Sequence, residues 1–160
     1  MTPAQTIRTG LVAMAILALA TPLRAGDIMQ ELARAGNFGR FLLAIERAGM
    51  DAVLRGPGPF TLFAPVDGSF VEMEDGGGYT ILLVQTDQLR QIVGYHIVPQ
   101  IVSRAAMQEG SALPTLQGKE VIVMLAGGAE INGEPLRIRE IMADNGIIQP
   151  INALLRPPGF

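Results

Sequence analysis

The chain carries one histidine, His96, and no cysteine. That inventory decides most of its chemistry. A metal site built on two or three imidazoles cannot form, and thiolate sites and thiol catalysis are excluded outright. A serine nucleophile would have to use His96 as its base. Neither Gly68-Ser69 nor Gly110-Ser111 lies in the Gly-x-Ser-x-Gly turn that presents such a serine. The carboxylates within residues 128–141, GAEINGEPLRIREI, are spaced irregularly across turn signals and do not make a facing acid–base pair. The glycine runs lack the strand-to-helix setting of a phosphate loop. Asp67 is the most suggestive carboxylate, yet it has no histidine cluster or nucleophile to serve. The residues therefore point away from an enzyme, and no metal or cofactor is expected.

Asp67 belongs to the stretch around which the chain is organised, residues 58–70, GPFTLFAPVDGSF. Phe60, Leu62 and Ala64 alternate with Thr61 and Phe63, which suits a pleated, largely buried strand. Pro65 has no N–H to give a ladder and ends that strand. Asp67 can then accept the free N–H groups of a following first turn, leading to Phe70. Ser69 and Glu72 have the three-residue spacing of a capping box.

At 160 residues there is room for one domain with a sizeable core. Apolar residues make up 49% and charged residues 17%, which excludes a disordered chain. Arg8 precedes the ten-residue apolar run LVAMAILALA at 11–20, and TPLRA follows at 21–25. This is the pattern of a secretory signal peptide, residues 1–25, cleaved after Ala25 to leave one domain over 26–160. The apolar run is too short for a membrane span, which needs roughly 20 residues. Losing Arg8 and Arg24 takes the basic count from 12 to 10 against 15 acids, a net charge of −5. Such a surface repels phosphate backbones, so nucleic acid is not an expected partner. An export signal without cysteines or Asn-x-Ser/Thr sequons points to a bacterial periplasmic or secreted protein.

Along the rest of the chain, Asp27 can cap a first helix that Gly36 and Asn37 break. Phe38, Phe41, Leu42 and Ile45 make a second, stopped by Gly49. Residues 79–84, YTILLV, are read as helix because Thr86 or Asp87 caps another directly after them. In that next helix Leu89, Ile92, Val93 and His96 share a face, where a neutral imidazole can bridge helix and strand backbones. Beyond Pro99, proline and glycine punctuate short β-type runs, including Leu136–Ile138. Asn132-Gly133 is a strong two-residue hairpin signal, and Asn145-Gly146 is a further turn candidate. Helices first and a β-meander last predict an α+β fold with antiparallel sheets.

Three stretches in this order, FTLFAPVDGSF, GYHIVP and NGIIQPINALLRP, resemble the signatures of the fasciclin-type domain, and the likeness covers nearly all of 27–158. It implies a wedge-like β-sandwich of two sheets with flanking α-helices. Phe60, Thr61, Phe63, Ala64, Pro65, Asp67, Phe70, Asn145 and Gly146 are then structural signature positions. In animal relatives the Tyr-His segment is tied to adhesion, which marks Tyr95, His96, Ile97 and Val98. Glu140, Ile141 and Met142 resemble an Asp-Ile-Met segment used towards integrins. Where the family has His-x-Ile-Asp, this chain has Gln149, Pro150, Ile151 and Asn152; Pro150 predicts a bulge or an edge there.

The resemblance implies a non-enzymatic exported module for cell adhesion or envelope association, binding a cell-surface or envelope protein or polysaccharide. The alternative is a carrier of an apolar, carotenoid- or lipid-like molecule, since some relatives bind such ligands. Met29, Met50, Met73, Met107, Met124 and Met142 could line an adaptable groove for it.

Overall fold

The computed structural model describes residues 24–136 and 138–160, so the expected leader lies, apart from Arg24 and Ala25, outside the described residues. The described chain opens with α1 (Ile28–Ala35), α2 (Gly39–Arg47) and α3 (Asp51–Leu54). Helix α1 starts as expected: Asp27 accepts from the Gln30 N–H while the Gln30 side chain accepts from the Asp27 N–H. Gly36, at φ 72°, ends it in the left-handed region. Strand β1 (Phe60–Pro65) leads through a 3₁₀ turn at Asp67–Phe70 into α4 (Val71–Asp75), α5 (Gly78–Val84) and α6 (Thr86–Tyr95). The helix expected over 79–84 is thus present. Helix α6 begins without a side-chain cap, so neither Thr86 nor Asp87 plays that part.

Strands β2 (Ile97–Val98), β1, β8 (Gly146–Ile151) and β7 (Ile141–Ala143) form one sheet in the order β2-β1-β8-β7. The second sheet is the meander β3 (Ala112–Pro114), β4 (Glu120–Met124), β5 (Glu130–Ile131) and β6 (Glu134–Pro135). Asn132 and Gly133, at φ 51° and 84°, make the β5–β6 hairpin as expected. Of the β-run expected at Leu136–Ile138, the middle residue lies outside the described residues and the two on either side of it are not in a strand; β6 ends just before, at Pro135. Two sheets flanked by helices confirm the α+β wedge.

One expectation is corrected. The first sheet is mixed, because β1 and β8 run parallel in unbroken register from Phe60↔Gly146 to Pro65↔Ile151. Side-chain alternation is the same in parallel and antiparallel strands, so it cannot report direction. What does mark this pair is burial on both faces, which is typical of parallel strands. Leu62 and Ala64 point into a core shared with Phe41, Ile45, Phe70 and Leu89 under the helices. Phe63 points the other way, into a second core with Tyr95, Val121, Val123 and Ile131 between the sheets. Strand β1 is therefore the partition of the molecule.

The altered closing strand fits beside it. The Phe60 N–H donates to the Asn145 carbonyl and the Val66 N–H to that of Ile151. Odd-numbered residues of β8 therefore face β1, and Pro150 turns its missing donor away from it. On that other side β7 pairs only as far as Ile148, so Pro150 sits at a local edge without a bulge. The expected Asn145-Gly146 turn is displaced by one residue. Ala143 pairs with Gly146, leaving Asp144 and Asn145 as the loop. Gly146 is needed inside the strand: a Cβ there would lie 2.1 Å from the Phe60 carbonyl oxygen.

Asp67 caps a helix, but a different one from that expected. Its Oδ1 accepts from the Arg40 N–H at 2.8 Å and its Oδ2 from the Gly39 N–H at 3.2 Å, so it closes the first turn of α2. The residue before α2 is Phe38, which has no acceptor to offer, and a carboxylate from across the chain takes that place. Of the expected Ser69–Glu72 capping box, the Glu72 side chain lies outside what the structure describes, and α4 starts after Phe70 without a side-chain cap. Ser69 Oγ is buried with no partner among the described residues. We expect Asp67→Ala to cost about 1–2 kcal/mol in chemical denaturation, and Asp67→Asn to recover most of it. Equal losses in both variants would show that charge, not cap geometry, is what matters.

Candidate interaction site

The Tyr-His segment is where α6 hands the chain to β2, and its side chains point inward. Tyr95 is 1% exposed, and His96, Ile97 and Val98 are 0% exposed. The Tyr95 hydroxyl donates to the Glu120 carbonyl and accepts from the Asn132 amide, tying α6 to the meander. Ile97 and Val98 pair with Leu62 and Thr61 of β1. The Thr61 hydroxyl, also fully buried, donates to the Gln100 carbonyl and accepts from the Val102 N–H. All four residues thus hold the partition strand to its surroundings, and none offers surface to a partner.

His96 shows this most clearly. Its Nδ1 lies 2.8 Å from the Ile92 carbonyl, and its Nε2 lies 3.0 Å from the Leu155 nitrogen. A carbonyl can only accept and a backbone N–H can only donate, so the proton must sit on Nδ1. The ring is neutral and bridges α6 to the segment after β8, against the face of Phe41 at 5.1 Å. Burial lowers its pKa to about 4, because a desolvated imidazolium is costly, although the Ile92 carbonyl partly favours the charged form.

Glu140, Ile141 and Met142 divide differently. Glu140 Oε2 accepts from the Arg104 N–H at 3.2 Å and from the Gln149 amide at 2.8 Å. Gln149, fully buried, also accepts from Arg104 Nε at 3.1 Å. Gln149 thus serves as donor and acceptor at once, with no charge that could titrate. Glu140 is tied up in holding the loop of Arg104 against β8. Ile141 packs against the helix-side core, and Met142 alone projects, 58% exposed.

Two surface features escaped the sequence reading. On β4, Val121 and Val123 are buried while Ile122 and Met124 are about two-fifths exposed on the opposite face. The alternation in EVIVM is the sequence signal of this open face. The second feature is a cleft of about 250 Å³ between α5–α6 and the C-terminal segment, where Ile81, Leu82, Leu154 and Phe160 meet. The methionine groove is corrected here. Met29 and Met50 lie in one core and Met107 in the other, Met124 and Met142 are exposed on separate strands, and only Met73 reaches this cleft.

Among the described residues, no three of His, Asp or Glu converge as metal ligands, and no helix is long and apolar enough to cross a membrane. Asp67, His96 and Glu140 are each engaged in hydrogen bonds to backbone groups.

Comparison with known proteins agrees with this scaffold. The family model of the fasciclin domain matches residues 36–157. The chain is 32% identical over 119 residues to the uncharacterized protein sll1735 of Synechocystis, covering 74% of this chain and 89% of that one. It is 31% identical over 137 residues to human Stabilin-1, covering 82% of this chain but only 5% of that much longer protein. Among solved structures, it superposes on a domain pair from the insect cell adhesion molecule fasciclin I with a TM-score of 0.72. That match covers 84% of this chain and 52% of the pair at 15% identity, a likeness of fold alone. Together with the strand, cap and Tyr-His geometry above, the family match shows that the chain belongs to the fasciclin domain family.

Proposed function

We propose that this domain is a non-enzymatic exported interaction module that binds an envelope or cell-surface protein or polysaccharide. One observation carries the reading: Ile122 and Met124 stand side by side, solvent-exposed, on the outward face of β4. Adjacent apolar side chains on an open sheet face offer a partner a place to bury apolar surface. Met142 on β7 is the second candidate contact, held in place by Glu140 and Ile141. Tyr95, His96, Ile97 and Val98 act on binding only through the stability of the domain. The apolar leader ending near Ala25 supports a periplasmic or secreted site of action.

The test is saturable binding of the purified domain to envelope vesicles from its own source. The double substitution Ile122→Glu with Met124→Glu should weaken binding at least tenfold with little change in stability, since both positions face solvent. Met142→Glu reports separately on the β7 face. Binding unaffected by either change, or no saturable binding at all, would contradict the proposal.

The cleft beside α5 and α6 favours a second reading, carriage of an apolar small molecule. A concave, mostly apolar hollow with a few polar groups is the usual form of such sites.

A further inference from the structure

Two hollows adjoin along the seam between the helices and the C-terminal segment. The apolar one, of about 250 Å³, is walled by Ile81, Leu82, Ile92 and Phe160. The other, of about 300 Å³, is lined by Gly68, Ser69 and Asn152. Met73, Leu154 and Arg156 border both, so the two make one groove with an apolar end and a polar end. In a chain where acids outnumber bases, no acidic side chain among the described residues lines either hollow. Arg156 enters no ion pair among the described residues. At the same polar end, the Ser69 hydroxyl is buried without a partner among the described residues. A buried hydroxyl without a partner is costly, and Arg156, which lines the same hollow, supplies a single positive charge.

From this we infer that the groove takes a single-chain anionic amphiphile, a long-chain carboxylate, with its head at Ser69 and Arg156. The alkyl chain crosses Met73 and Leu154 and lies on Ile81, Leu82 and Ile92. Charge complementarity selects the head, because one arginine and one hydroxyl match a monoanion. Size selects the tail, since each hollow lies at or below the low end of the roughly 300–1,000 Å³ of small-molecule sites. The inference rests on the carrier reading above and gives it a ligand class and a direction in the groove.

Calorimetric titration of the purified, delipidated chain with dodecanoate and with dodecanol separates the two ideas. Dodecanoate should bind one per chain, about tenfold more tightly than dodecanol. Arg156→Gln should remove that difference by weakening dodecanoate about tenfold and leaving dodecanol unchanged. Ile81→Asp, at a position already half exposed, should weaken both ligands. Equal affinities for acid and alcohol, with no effect of Arg156→Gln, would overturn the head-group assignment and leave the carrier reading standing. Failure of both ligands to bind would overturn the two together.

Discussion

Replacing Asn145 by alanine should cost about 3–5 kcal/mol of folding stability, a large part of what a domain of this size has. Its side chain, 9% exposed, is a three-way junction. Oδ1 accepts from the Ile28 N–H at 2.9 Å, at the very start of α1. Nδ2 donates to the carbonyls of Leu54 and Gly56 at 2.7 Å each, where α3 runs into the approach to β1. Alanine would leave one donor and two acceptors in or near the core without partners, each costing roughly 1–3 kcal/mol before any relaxation. Asn145→Asp keeps the acceptor, loses the donors and sets a carboxylate against two carbonyls, so it should be no better than alanine. Denaturant midpoints for both variants check this. A loss below about 1 kcal/mol would mean that water replaces the amide and that the junction is not sealed.

The second large effect is on acid stability and comes from His96. The folded pKa, about 4, lies below the ordinary value of 6.5, so the native ring stays neutral over a range in which the unfolded ring is charged. The unfolded state then binds more protons, and stability falls as the pH falls. The contribution is fully present above pH 6.5, declines between 6.5 and 4, and is level below that. Across the whole window the loss is about 3 kcal/mol, and between pH 7 and pH 5 about 2 kcal/mol. Geometry gives the same sign, because a proton on Nε2 would face the Leu155 N–H, another donor. Comparison with His96→Gln isolates the effect. The variant starts less stable but should lack the extra slope between pH 7 and pH 5, where most carboxylates have not yet titrated. Parallel pH profiles would contradict the buried, neutral ring.

Much of this was legible in the sequence wherever a local rule applied. The Asp27 cap, the left-handed stop at Gly36 and the Asn132-Gly133 hairpin all follow from neighbours in the chain. So did the helix at 79–84 and the inward-facing histidine. What sequence reasoning could not supply was set by partners far away in the chain. Asp67 looked like a cap, and it is one, but for a helix 28 residues upstream that no periodicity connects to it. The direction of β8 against β1 depends on how the chain returns from the meander, while side-chain alternation is blind to it. The methionines scattered because Met29, Met50 and Met107 fill gaps in two separate cores, a use for which flexible side chains are suited, while Met124 and Met142 lie on exposed strand faces.

Thr61, Asp67, His96, Asn145 and Gln149 each bond their own segment to at least one other, so a change at any of them is felt beyond its own element. The side chains proposed as contacts, Ile122, Met124 and Met142, take no part in these bonds, so substitutions there can test binding without disturbing the fold.

The central claim is that the Tyr-His segment is scaffold and does not touch a partner, and one measurement addresses it directly. His96 is the only imidazole in the chain, so its ring nitrogens can be followed by ¹⁵N NMR across pH without assignment. The ring should show a single tautomer protonated at Nδ1, unchanged from pH 7 down to about pH 5, with any titration near pH 4 accompanied by loss of the native spectrum. An imidazole that exchanges between tautomers and titrates near 6.5 while the domain stays folded would show an accessible ring and contradict the scaffold role.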